Sequence, residues 1–388
     1  MDQKFLLLLV LFMGINQFNA QENSQIVIGE KHQLHSTILE EDREYWISLP
    51  DSYDNENSTY KKYPILVILD GNIHFQSISG MVNYMSSDRY RSWKIPEMIV
   101  VGIQNVDRRR DYTPDKIVTV RENNSGGGKK FLRFLEEELI PELDQNYRTS
   151  DYRILFGHSL GGLLTTHAYL QPTSSFKAFL AIDPSFGTWD SAVMDQKLAN
   201  FSPESFQRYL YIATANWGKR NITNRDRHVR FFESLHRLSE EEFPVQLEYF
   251  ENENHASVPP IAFYKGISAI FDGYGITYRE VTNPKQLQGH FTEISNRLSS
   301  EFLPPENLVN QLGYNKLRSN NEAEKALALE FFRMNTQNYP ESYNAFDSLA
   351  EAYANFGNSE KALENYQQSL QLNPENEHAR MQIEKLKK

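Results

Sequence analysis

Six short apolar-rich runs do most to limit the fold of this 388-residue chain: Pro64–Leu69, Met98–Gly102, Tyr152–Phe156, Ala178–Ile182, Tyr209–Ala213 and Val245–Phe250. A run such as Pro64–Leu69, apolar at every position, is what a strand buried on both faces requires. Helical spacing of apolar residues separates or follows these runs at Lys129–Asn146, Leu160–Leu170, Arg227–Leu238 and Ile261–Phe271. Strands alternating with helices predict an α/β fold, a mostly parallel sheet with helices on both faces. Ahead of them, Leu34–Glu40 and Tyr45–Leu49 flank Glu41-Asp42-Arg43, which predicts an antiparallel hairpin.

After about Asn283 the Val/Ile runs stop and Ala, Leu, Glu, Lys and Asn dominate. Ala328 and Ala362, Phe332 and Tyr366, and Pro340 and Pro374 are each 34 positions apart. Phe346, Leu349, Ala350, Tyr353, Gly357, Ala362, Tyr366 and Pro374 stand where tetratricopeptide repeats place their packing residues, and the segment resembles that family. The expected division is 1–20 leader, 21–283 α/β domain and 284–388 helical segment. About three repeats are needed for independent stability. The helices are therefore expected to pack on the α/β part or, through residues 309–388, to meet a protein partner.

Composition removes several function classes. The 51 Asp and Glu against 40 Lys and Arg give a net charge of −11, unsuited to nucleic acid, whose binding rests on phosphate neutralisation. With no cysteine there is no disulfide, thiolate metal site or cysteine nucleophile. The apolar run Phe5–Met13 behind Lys4 is too short for a membrane span of about 20 residues. It fits the core of a secretory signal cut near Ala20, which predicts a periplasmic or secreted protein with no span once the signal is removed.

The chemistry centres on Gly157-His158-Ser159-Leu160-Gly161-Gly162, between a predicted strand and a predicted helix. That is the setting of the G-x-S-x-G nucleophile elbow of the α/β-hydrolase fold. The turn strains Ser159, Gly157 and Gly161 remove side chains that would collide, and the Leu160 amide at the helix N-terminus faces a developing oxyanion. The chain order of this fold is Ser, acid, His. Of His228, His236 and His255, the last stands in the loop past Val245–Phe250, at the sheet edge where ligands of α/β folds bind. His228 and His236 fall in a predicted helix and are expected to face solvent.

The acid is expected after Tyr209–Ala213. The only carboxylate from Thr214 to Phe232 is Asp226, which either orients His255 or caps the helix beside it. A Ser–His dyad is the remaining arrangement. The Asn72 amide, after Leu69-Asp70-Gly71, is the candidate for a second oxyanion donor. No metal or phosphate-loop motif is complete, so neither a metal nor an organic cofactor is expected. Arg108–Arg110, flanked by Asp107 and Asp111, is expected to pair internally rather than bind an anionic substrate. Glu136–Glu138 and Glu240–Glu242 are expected to be solvated helix faces.

Taken together, Leu69-Asp70-Gly71, Val101-Gly102-Ile103, Arg108–Pro114, Gly157–Gly162 and His255 resemble the esterase branch of the α/β-hydrolases. That branch includes ferric-siderophore esterases, S-formylglutathione hydrolases, feruloyl esterases and mycolyltransferases. The likeness covers roughly residues 30–275 and is strongest to the siderophore esterases, through Asp107–Pro114. It implies Ser159 as nucleophile, His255 as base and the amides of Asn72 and Leu160 as oxyanion hole, in an exported serine esterase acting on a small-molecule ester. The chain departs from it at Ala215-Asn216-Trp217-Gly218, where some relatives carry a carboxylate. The competing class is an inactive hydrolase scaffold that binds protein through its repeats. The joint presence of Ser159, Asp226 and His255 argues against a decayed site.

Overall fold

The computed structural model describes residues 26–55, 60–87, 93–117, 124–188, 191–199, 201, 207–218, 223–238, 245–277 and 279–387. The 1–20 leader and Glu240–Glu242 lie outside the described residues. In chain order the elements are β1 Glu30–Ser36, β2 Glu41–Ser48, β3 Tyr63–Ile68, α1 Gly71–Ser86, β4 Ile99–Ile103 and α2 Arg108–Tyr112. Then come α3 Gly128–Phe134, a π-helical turn Leu135–Leu139, α4 Ile140–Asn146, β5 Thr149–His158, α5 Leu160–Tyr169 and β6 Ala178–Ile182. They are followed by α6 Ser191–Ala199, β7 Tyr209–Ala215, α7 Thr223–Leu238, β8 Val245–Phe250 and α8 Val258–Ile270. Six further helices complete the chain: α9 Pro284–Leu298, α10 Glu306–Leu317, α11 Glu322–Asn338, α12 Tyr343–Asn355, α13 Ser359–Leu372 and α14 Glu377–Leu386.

The eight strands form one sheet in the order β1-β2-β4-β3-β5-β6-β7-β8. The first two pairings are antiparallel and the rest parallel. Burial follows the period of two: Leu66 and Ile68 join the core on one face, Ile65, Val67 and Leu69 that on the other. All five are fully buried. Truncating one to alanine costs about 2–5 kcal/mol at such sites.

Two local expectations shift. The hairpin turns at Thr37–Glu40, one step ahead of Glu41–Arg43, with Ser36 opposite Glu41 and Glu40 at φ 60°. The cause is remote: the Glu138 carboxylate accepts from the Thr37 amide at 2.9 Å and the Ile38 amide at 3.0 Å. Glu138 is thus a tie between α4's approach and the hairpin, not a solvated face. Helix α1 has no clear sequence signal, because it opens on Gly71 and carries Gly80, the poorest helix former after proline.

Past β8 all described elements are helical. Leu287, Phe291, Ile294 and Leu298 of α9, Leu308, Val309 and Leu312 of α10, and Phe331 and Met334 of α11 share one core with the sheet. A third core gathers Leu349, Ala350, Tyr353, Ala362 and Tyr366 from α12 and α13. The alanines allow close helix approach and the aromatics fill the gap. No helix among the described residues is long and apolar enough to cross a membrane.

Candidate active site

The parallel strands deliver their carboxyl ends to one edge, and Ser159 stands there between β5 and α5. Its φ of 60° and ψ of −116° strain a non-glycine residue. Gly157 makes the turn possible, since a Cβ there would lie 2.3 Å from the Gly161 backbone. The same test gives Gly161 only an ordinary 3.4 Å contact, whereas Gly162 would come within 3.0 Å of the Ile182 carbonyl oxygen. Gly162, not Gly161, is the second position where a side chain would jam.

Ser159 Oγ lies 3.1 Å from His255 Nε2, and His255 Nδ1 lies 2.5 Å from Asp183 Oδ2. The structure brings Ser159 and His255 together across 96 positions of chain. It does not bring Asp226 to them. Asp226 sits exposed in the first turn of α7. Helical spacing explains this: at about 100° per residue, Asn224 and His228 share a face, and Asp226 points the other way. That inward face serves the site indirectly. Asn224 Oδ1 accepts the Phe186 amide at 3.1 Å, and the Pro184 carbonyl lies 2.7 Å from His228 Nε2. A carbonyl only accepts, so Nε2 carries the proton, and Nδ1 accepts from the Thr214 hydroxyl at 2.8 Å. His228 is therefore buried and structural, not solvent-facing, and burial pushes it down to about 4.

The carboxylate beside His255 is that of Asp183, directly after β6 and wholly buried. Its Oδ1 accepts the Ala215 amide at 3.1 Å, and its Oδ2 also accepts the Trp217 indole N–H at 2.8 Å. Burial would raise this carboxyl, but the bonds from His255, Ala215 and Trp217 hold it below the ordinary carboxylate range. The sequence signal was present in Ile182-Asp183-Pro184, a carboxylate at the end of a buried strand. The order of strands hides it: β6 lies beside β5, so its end is next to Ser159, while the loop after β7 reaches the same acid from the far side.

Two helix N-termini converge on this edge. Leu160 opens α5, and Asn72 is the second residue of α1; neither N-cap residue, Ser159 or Asp70, makes a side-chain cap. Asp70, at φ 56°, turns its carboxylate instead to Arg108, with Nε at 2.6 Å from Oδ1 and Nη2 at 3.0 Å from Oδ2, and to Asn105 at 2.6 Å. Arg108 Nη2 also reaches the His158 carbonyl at 3.3 Å, tying the loop before α1 to the strand before Ser159. Arg110 pairs with Glu41 and Asp111, and Asp111 with the buried Arg43. The partners are thus mostly remote, and Asp107 caps α2 through the Arg110 amide.

Further neighbours were not legible in sequence. Ser185 Oγ lies 3.0 Å from Ser159 Oγ. The His255 ring has two aromatic neighbours, His158 at 4.4 Å and Trp217 at 4.6 Å between centroids. Burial, then the proximity of His255 and His74, lowers His158 to about 4, so it adds no positive charge at neutral pH. Among the described residues no group of three His, Asp or Glu is placed to hold a metal. A cavity of about 450 Å³ lies far from Ser159, at the opposite edge of the sheet beside Tyr63, Thr149, Phe302 and Tyr339. No histidine stands in its described lining, whereas Ser159 has one within hydrogen-bond reach.

Known proteins share this arrangement of chain. The sequence is 27% identical over 240 residues to the ferri-bacillibactin esterase BesA of Bacillus subtilis, covering 53% of this chain and 83% of that one. Among solved structures it is similar to an IroE-like serine hydrolase from Shewanella oneidensis, with 27% identity and a TM-score of 0.68 over 78% of this chain and 98% of that one. An uncharacterised protein from Capnocytophaga ochracea, 18% identical, has the same fold over 92% of this chain and 99% of its own, at a TM-score of 0.59. The family profile described as "Putative esterase" matches residues 36–256, more than half of the sequence, and the chain belongs to that family.

Proposed function

We propose that this chain hydrolyses a carboxylic ester through an acyl intermediate on Ser159. The observation that carries the reading is the unbroken line from Ser159 Oγ through His255 to Asp183, at 3.1 and 2.5 Å. His255 Nε2 takes the hydroxyl proton as Oγ attacks the ester carbonyl. Asp183 fixes the imidazole with Nδ1–H toward its carboxylate and stabilises the imidazolium that forms. The amides of Asn72 and Leu160 receive the oxyanion. The tetrahedral intermediate collapses, the alcohol leaves with the proton from His255, and water then cleaves the acyl-serine by the same relay.

The substrate class is an ester of a siderophore-like small molecule, a choice supported by relatives named for siderophore esters. The serine mechanism is further supported by the likeness to the IroE-like serine hydrolase. Residues 1–20 act as an export signal in this reading, and the C-terminal helices as a tetratricopeptide-like unit.

A fluorophosphonate probe tests the reading. The natural protein labels and Ser159→Ala does not, and that variant loses at least about 10⁴-fold in turnover. A natural protein that resists the probe and cleaves no member of an ester panel including siderophore lactones overturns it, and leaves the inactive-scaffold reading.

A further inference from the structure

The loop after β7 is where the acid was expected, and it holds Ala215-Asn216-Trp217-Gly218 instead. Those residues still engage the acid. The Ala215 amide takes Asp183 Oδ1, and the Trp217 indole N–H takes Oδ2, the oxygen that also receives His255 Nδ1. The same indole lies 4.6 Å from the imidazole, centroid to centroid, at 39°. One side chain thus touches both partners of a single hydrogen bond. We propose that Trp217 is a positioning residue for the esterase reaction, locking the shared geometry of Asp183 and His255 from the loop where the acid was expected. The inference rests on the reading of Ser159, His255 and Asp183 given above.

The loop is built to hold the indole there. The Asn216 amide donates to the Glu253 carbonyl at 2.7 Å, and Asn216 Nδ2 to the Glu251 carbonyl at 2.7 Å. Gly218, at φ 69°, returns its amide to Asn216 Oδ1 at 2.8 Å. Asn216 therefore staples the β7 loop to the segment that carries His255. Trp217 is a neutral donor, so it satisfies Oδ2 without supplying a cation that would compete with the imidazolium. The carboxylate, donated to on both oxygens, is fixed in rotation, and the indole blocks the imidazole from swinging. Each effect acts in the transition state more than in substrate binding, so the signature is in kcat.

The test uses the full chain and a p-nitrophenyl ester. Trp217→Phe keeps a ring and loses the N–H; Trp217→Leu loses both. The expected result is a fall in kcat of about tenfold for Phe, with KM within about twofold, and a larger fall for Leu. The low-field proton resonance between His255 and Asp183, identified by its loss in Asp183→Asn, moves in the Phe variant. Unchanged kcat, a rise in KM alone, or a resonance that stays in place overturns the role. Should the Leu variant not fold, the Phe variant decides. Failure of the esterase reading is separable: it is read from absent fluorophosphonate labelling of the natural chain, which the Trp217 variants do not enter.

Discussion

The helices that border Ser159 and the helices that end the chain begin in opposite ways. Helices α9, α11, α12, α13 and α14 each start from an Asn or Ser whose side chain accepts a backbone amide of the first turn: Asn283, Asn321, Ser342, Asn358 and Asn376. Helices α1 and α5 start from residues at positive φ, Asp70 and Ser159, whose side chains make no such cap. Asp183, at the end of β6, the strand beside β5, has φ 40°. Of six non-glycine residues with positive φ among those described, these three mark the carboxyl ends of β3, β5 and β6. Capping satisfies a helix end internally and stabilises it; an uncapped end keeps its amides for something else. Strain of about 1–3 kcal/mol per such residue is thus concentrated at one edge of the sheet, while among the described terminal helices a single such residue, Ser299 at φ 50°, closes α9.

The contrast can be broken most sharply at the acid. Asp183→Asn should lower turnover by about 10³–10⁴-fold, since an amide fails to hold the imidazole tautomer, while Asp226→Asn stays within about twofold. Equal losses in steady-state assays would erase the distinction between the two carboxylates. Next is the turn itself. Gly157→Ala places a Cβ 2.3 Å from backbone that cannot yield, so thermal unfolding should drop by several degrees and labelling of Ser159 should be lost together.

Acid separates the two regions by sign. Burial holds His158 and His228 near 4 and His167 near 3, while the unfolded chain protonates them near 6.5. Their contribution is full above about pH 7 and falls as the pH drops from about 6.5 toward 4; the depressed Asp183 loses its own share lower still. In the helical segment, burial raises Glu306 and Asp347, which stabilises the fold as pH falls toward the unfolded carboxyl range. Hydrogen exchange at pH 7 and 5 should show amides of β5 and β6 opening more readily while those of α10 and α12 do not. The smallest effect is at a cap. Asn358→Ala should cost about 1 kcal/mol, visible as a lower Tm, with kcat unchanged.

Much of this was legible beforehand, and unevenly. Ala178–Ile182 and Val245–Phe250 match the observed strands at both ends, the first because burial on both faces of a parallel sheet leaves no room for polar residues, the second, at the sheet edge, because its buried ends Val245 and Phe250 bound a short run rich in strand formers. Ser159 was legible because its turn needs glycines at fixed offsets. His255 was legible because its loop follows the last strand. Asp183 was not, because a neighbouring strand supplies it and adjacency in a sheet is not adjacency in sequence. Trp217 and Ser185 were invisible for the same reason, and α1 because Gly71 at its start and Gly80 within it mask a helix that the sheet holds in place.

The core shared by the sheet and α9, α10 and α11 has a practical consequence. A polypeptide stopped after residue 283 would bare Tyr152, Phe271 and Tyr274, which pack against Phe291 and Phe302, as an oily flank, the kind of surface that drives aggregation. Shortened forms for crystallisation or industrial use would have to repaint that flank with polar residues. The upkeep of the edge that holds Ser159 is thus written partly in helices that share the core behind it.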